Sequence, residues 1–156
     1  MRRLRIALVL ALAAGAALAQ PPDGGALFQQ QCAVCHQPQG QGLAGQFPPL
    51  AHNPDLFLSQ DFPLRVVLFG LSGKIAVNGQ AIDSVMPPLG NALTDAQIAA
   101  VVNYVRGAWG NDALRPRSIE PVTPAMVAAL RQHRHLPPVY SYREGLKAAA
   151  PNGRPH

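Results

Sequence analysis

The chain is poor in the features that many protein functions are built from. Only 13% of its 156 residues are charged and 6% are aromatic, with two cysteines, three methionines and one tryptophan in all. Lysine is almost absent, being confined to Lys74 and Lys147. Without a dense basic face the chain lacks the electrostatic footprint that phosphate backbones require, which argues against a nucleic-acid partner. Carboxylates and histidines paired at catalytic spacing are missing too, so acid–base chemistry has no residues to work with and no enzymatic activity is expected. The length fits one domain or a domain with an appendage.

What is present begins with "MRRLRIALVLALAAGAALAQ". Arg2, Arg3 and Arg5 precede an apolar run from Ile6 to Ala19 that ends in Ala-Leu-Ala, the anatomy of a secretory signal peptide cleaved before Gln20. As an uncleaved helix this run would rise about 21 Å, short of the roughly 30 Å hydrocarbon core of a bilayer. Residues 1–19 are therefore read as a signal peptide. The product is expected to be exported, to the periplasm or the outer face of the cytoplasmic membrane, with no stable membrane span. Cleavage removes three of the 13 basic residues and leaves 10 against 8 Asp and Glu, a net charge of +2. Export also places the two cysteines where disulfides persist, although a bridge between residues three apart closes too small a loop to stabilise a domain much.

"GALFQQQCAVCH" reads as a short helix with Phe28 four residues before Cys32 on the same face. The following "QPQGQGLAGQFPPLAHNP" is crowded with Gly and Pro and must be loop, with Leu43, Phe47 and Leu50 as apolar anchors. A second helix is predicted through "FPLRVVLFGL". A small β-hairpin is predicted near 74–83, around Asn78-Gly79, the strongest short-range hairpin signal. The clearest helix starts at Thr94, with Gln97 completing a capping box and Ile98, Val101, Val102, Val105 and Trp109 on one face, and ends near Gly110 and Asn111. A Pro-rich tail follows. In it Thr123-Pro124 opens a helix with Met126, Val127 and Leu130 on its face, and Ser141 with Glu144 suggests a further capping box. The domain is thus expected over 20–111, with 112–156 as a C-terminal extension packed on it.

The two cysteines stand in "CAVCH". C-x-x-C-H is the c-type haem attachment signature. On a helical turn Cys32 and Cys35 fall at i and i+3, so both sulfurs reach the two vinyl groups on one porphyrin edge, and His36 at i+4 aims its imidazole at the iron. Zinc normally needs four ligands, and His52, His133, His135 and His156 place none close by at motif spacing. A thioredoxin-like pair belongs in a βαβ unit, which is not predicted here. For the sixth iron position Met86 stands in "SVMPPLG", where Pro87 and Pro88 stiffen the chain beyond it. Met126 reads as core packing, and His52 is the alternative ligand.

Together these segments resemble class I cytochromes c: "GALFQQQCAVCH", "FPPLA", "MPPLG" and "LTDAQIAAVVNYVRGAWGN". The hairpin "KIAVNGQAI" and the tail are similar more particularly to the Thermus-type soluble monohaem cytochromes c with a C-terminal helical extension. The resemblance implies an all-α fold of about four to five helices around one haem c, held by thioethers from Cys32 and Cys35. It implies His36 and Met86 as iron ligands and the Pro48 carbonyl as acceptor from the imidazole. It also implies a crossing of the first and last helices near Gly25, Phe28, Tyr104 and Val105. Tyr104, Trp109 and Arg65 are candidate partners of the haem propionates. The function expected is a monomeric one-electron carrier between a quinol-oxidising complex and a terminal oxidase or reductase; the alternative is a cytochrome c subunit or dedicated acceptor of a periplasmic dehydrogenase. The low lysine content departs from Thermus-type relatives and predicts apolar docking around Ala33, Val34, Gln37 and Pro87-Pro88-Leu89.

Overall fold

The computed structural model describes residues 20–132. The expected leader at 1–19, the capping box at Ser141 and Glu144, and His133, His135 and His156 lie outside the described residues.

Helix α1 (Gly24–Gln31) starts at Asp23, whose Oδ1 accepts from the Gly25 and Ala26 amides at 2.8 and 3.1 Å. This satisfies two of the donors that every helix start leaves open. The predicted first helix is broken at Cys32, and its last turn is a separate short helix α2 (Ala33–His36). The join is tight, because the His36 amide still donates to the Cys32 carbonyl at 2.9 Å. Helix α3 (Phe62–Phe69) follows a 3₁₀ turn at Pro54–Phe57. Strands β1 (Leu71–Val77) and β2 (Gln80–Met86) pair antiparallel, from Leu71 opposite Met86 to Val77 opposite Gln80. The hairpin is longer than the predicted 74–83, and Asn78 and Gly79 both take the positive φ its two-residue turn requires.

Helix α4 (Asp95–Gly107) has the expected reciprocal cap: Thr94 Oγ1 accepts from the Gln97 amide and the Gln97 side chain accepts from the Thr94 amide. It ends earlier than predicted, and Gly110 leads instead into a second 3₁₀ turn at Asn111–Leu114. Helix α5 (Pro124–Gln132) buries Val127 and Leu130, as its one-face spacing predicts.

Helices α1 and α4 cross with Gly24 at the contact. A Cβ there would lie 2.3 Å from the Ala100 carbonyl oxygen, so only glycine allows the approach. The closest approach is therefore Gly24 rather than the neighbouring Gly25, which faces the Tyr104 ring. Phe28, Tyr104 and Trp109 stack around the crossing with ring centroids 4.9 to 5.7 Å apart. Phe28, Leu64, Ile98 and Val127 are fully buried in one continuous core, so the segment carrying α5 shares the core of the helices before it. Two reciprocal pairs of hydrogen bonds secure that segment: Gln60 with the Glu120 backbone, and the Asn103 amide with the Val122 backbone.

Candidate functional site

A cleft of about 1230 Å³, part of it open to solvent, lies between the α2 turn, the 47–56 loop, α3, the hairpin and one face of α4. Its walls are overwhelmingly aliphatic and aromatic. Cys32, Cys35, His36, Pro48 and Met86 all line it. The five residues singled out by sequence, spread over more than fifty positions, are brought to one surface.

Both cysteines are free thiols, so the disulfide reading does not apply. Burial, helped by the neighbouring Cys35, pushes the Cys32 thiol up to about 11. A redox-active or metal-binding cysteine needs the opposite shift, towards thiolate. Among the described residues no three His, Cys, Asp or Glu side chains cluster in a way that could hold a metal ion.

His36 is buried, and its Nδ1 lies 2.9 Å from the Pro48 carbonyl oxygen. That carbonyl can only accept, so Nδ1 carries the proton and Nε2 keeps a free lone pair. Burial holds the imidazole pKa below the usual histidine value, opposed in part by the Pro48 bond, so the ring is neutral and able to ligate.

The loop carrying Pro48 is fixed by groups that the sequence did not flag. The buried Asn111 amide donates to the Leu50 and Val105 carbonyls, each at 2.8 Å, and its oxygen accepts from the Asn53 amide at 3.1 Å. Asn53, also buried, donates to the Pro49 carbonyl at 2.9 Å. Leu50 and Ala51 donate to the Gly40 carbonyl, and Gly42 donates to the His36 carbonyl. In the sequence Asn111 reads only as a helix end; two of its three bonds run to residues about sixty positions earlier.

Arg106 is the other unflagged group. It lines the cleft at 1% exposure, with Nε donating to Leu56 O, Nη2 to Ser59 O and Gln60 O, and the guanidinium 5.6 Å above the Phe57 ring. Its Nη1 is buried with no hydrogen-bond partner among the described residues. Burial, then repulsion from Arg115, lowers its pKa to about 10 against the opposing pull of Asp61. It remains a cation at neutral pH, set in an apolar wall.

The packing places the other residues singled out in the sequence as follows. His52 is exposed and absent from the cleft lining, with a positive φ that turns it towards Gly110. Arg65 lies 3.9 Å from Asp61, and neither it nor Tyr104 nor Trp109 lines the cleft. Leu43 is 45% exposed and anchors nothing, whereas Phe47 and Leu50 do line the cleft. Met126 packs at the core edge, as read.

The arrangement defines the class I cytochrome c fold, with five helices and one two-stranded sheet among the described residues around an apolar cleft reached by a C-x-x-C-H turn. The cytochrome c family profile matches residues 22–109, and the chain belongs to this family. It is 39% identical to cytochrome c-552 of Thermus thermophilus over 137 residues, covering 85% of this chain and 90% of that protein. It is also similar to the cytochrome c subunit of the quinone alcohol dehydrogenase of Gluconobacter oxydans, 39% identical over 92 residues, 58% of this chain but 19% of that protein. The gluconate 2-dehydrogenase cytochrome c subunit of Pantoea cypripedii is 34% identical over 111 residues, 70% of this chain and 24% of that subunit. The cofactor is accordingly one covalently bound haem c, and the protein is an electron carrier of the cytochrome c type. The cleft suits that group: two free cysteines, an imidazole with one free nitrogen, a thioether and apolar walls. No helix among the described residues is long and apolar enough to cross a membrane.

Proposed function

We propose that this protein is an exported one-electron carrier whose haem c is held by thioethers from Cys32 and Cys35, with His36 and Met86 as iron ligands. The observation that carries the reading is the convergence of these side chains on one apolar cleft, with His36 Nδ1 already tied to Pro48 and only Nε2 left to bind a metal. When bound, the haem supplies an iron that cycles between ferrous and ferric states. The chain's own contribution is to fix that iron's surroundings. The Pro48 carbonyl orients the imidazole and strengthens it as a donor. The thioether of Met86 is a soft ligand that favours the ferrous state. Arg106, a buried cation in the cleft wall, opposes the added positive charge of the ferric state and favours ionised haem carboxylates.

Partners are read as redox proteins: a quinol-oxidising donor and a terminal oxidase or reductase. Val34, between the two cysteines, is 78% exposed and Val85, beside Met86, is 67% exposed, while Pro87 and Pro88 are exposed too. These neutral side chains supply a small apolar contact, and Ala33, expected to take part, is buried instead. The reading treats residues 20–111 as the haem domain and 112–156 as an extension packed on it, and the protein as a monomer.

A second reading, a cytochrome subunit or dedicated acceptor of a periplasmic dehydrogenase, is favoured by the similarity to dehydrogenase cytochrome subunits. An absorption spectrum with a pyridine haemochrome assay tests haem attachment and ligation together. Size exclusion of the native protein then separates the two roles: a monomer is the carrier, a stable hetero-complex the subunit.

A further inference from the structure

The segment after Met86 has an unusual shortage of donors. Pro87 and Pro88 have no N–H, so up to Gly90 the chain is anchored to its surroundings by the Leu89 amide, which donates to Val67 O on α3 at 2.8 Å. Gly90 lies hard against α3 as well, since a Cβ there would meet the Leu68 carbonyl oxygen at 2.7 Å. The carbonyls on the other side of the turn need donors from elsewhere.

Arg131, in the last turn of α5, supplies them. Its Nη1 donates to Gly90 O, its Nη2 to Leu93 O at 3.0 Å, and its Nε to Asp95 Oδ1 at 2.7 Å. A guanidinium is a rigid fork, so three groups held at once fix the turn in both position and direction. The Ala92 and Leu93 amides donate to Leu89 O, closing the turn between these anchors. Asp95 lies in the first turn of α4 and Arg131 in the last turn of α5, each at the helix end whose partial charge it complements.

We propose that Arg131 is a positioning residue for the sixth iron ligand: the C-terminal segment clamps the turn after Met86 from outside while α3 holds it from inside, and the clamp sets how readily the thioether leaves the iron. This rests on the reading of Met86 as distal ligand. The extension thereby gains a redox role separate from its share of the core.

The test uses the full-length ferric holoprotein and the variants Arg131→Gln, Arg131→Lys and Asn103→Ala. Cyanide binding, limited by methionine departure, and the far-red absorption band of methionine-ligated ferric haem are the readouts. Arg131→Gln is expected to bind cyanide about ten-fold faster, equivalent to about 1.4 kcal/mol, with a weakened band. Arg131→Lys keeps the charge but not the fork and should fall between. Asn103→Ala cuts the bonds to Val122 in the same extension without touching the turn; it should lower the melting temperature and leave the cyanide rate alone. Equal rates in Arg131→Gln and the wild type overturn the clamp, as does equal acceleration by Asn103→Ala. A wild-type protein lacking the far-red band overturns the Met86 reading itself and the clamp with it.

Discussion

The two sides of the haem cleft are built in different ways. The loop below His36 is laced to itself and to the end of α4 by buried amides, Asn111 at 0% exposure and Asn53 at 4%. The turn beyond Met86 is gripped by one backbone bond to α3 and by a guanidinium that is 23% exposed. A buried amide that loses its partners has no water to turn to, whereas an exposed arginine does. The nitrogen side is thus set as firmly as the core, and the sulfur side can be loosened without unfolding the protein. On the proposed ligation, that asymmetry keeps His36 neutral and oriented.

The comparison can be broken most violently at Gly42. Its φ is +68, and a Cβ would lie 2.4 Å from the Phe47 carbonyl oxygen and 2.7 Å from the Pro48 carbonyl carbon. Gly42→Ala therefore forces the Pro48 segment to move, at a cost of roughly 3–4 kcal/mol, with the melting temperature down by roughly 10 °C in thermal unfolding of the holoprotein. A change of a degree or two would mean that the proximal loop is soft.

Asn111→Leu comes next, with about 2–3 kcal/mol lost because the Leu50 and Val105 carbonyls and the Asn53 amide lose their partner. The reduction potential should rise, since a loosened Pro48 bond makes His36 a weaker donor to ferric iron. Denaturant unfolding and redox titration measure the two effects. Lost stability with an unmoved potential would leave Asn111 as core alone and undo the functional half of the contrast.

A smaller electrostatic effect is expected from Arg106→Met, which removes the buried cation whose Nε and Nη2 hold the stretch just beyond the proximal loop. At an effective dielectric of about 20, unit charges on the order of 15 Å apart interact by about 1 kcal/mol. For one electron that lowers the potential by roughly 50 mV. An unchanged or raised potential would show that this charge does not act on the iron. The smallest effect sharpens the comparison at the surface, where Val34 on one side and Val85 on the other are equally neutral. The second-order rate of electron transfer to a physiological oxidase should change less than about threefold between low and physiological salt. A steep fall would mean that charges govern docking.

Much of this architecture was legible because its signals are local. The Thr94–Gln97 box, the Asn78-Gly79 turn and the α4 stripe from Ile98 to Val105 each need only a few consecutive residues and stand as predicted, whereas Trp109 falls beyond the end of α4. The errors fall where contacts are distant. Leu43 reads as an anchor until Phe47 and Leu50 turn out to take the cleft wall. Arg106, one position among many on α4 in the sequence, becomes the cation that lines the cleft, while Arg65 on α3 lies beside Asp61. Helical spacing assigns a face but not what lies opposite that face.

By itself the sequence points to the haem group, because C-x-x-C-H places two sulfurs and an imidazole within about one turn of chain. It determined the elements by the same kind of short-range rule. Only the tertiary structure decided how firmly each side of the cleft is held. Asn111, Arg106 and Arg131 act on carbonyls that lie about forty to sixty positions away along the chain, and a hydrogen bond over that separation exists only once the core has brought its two ends together.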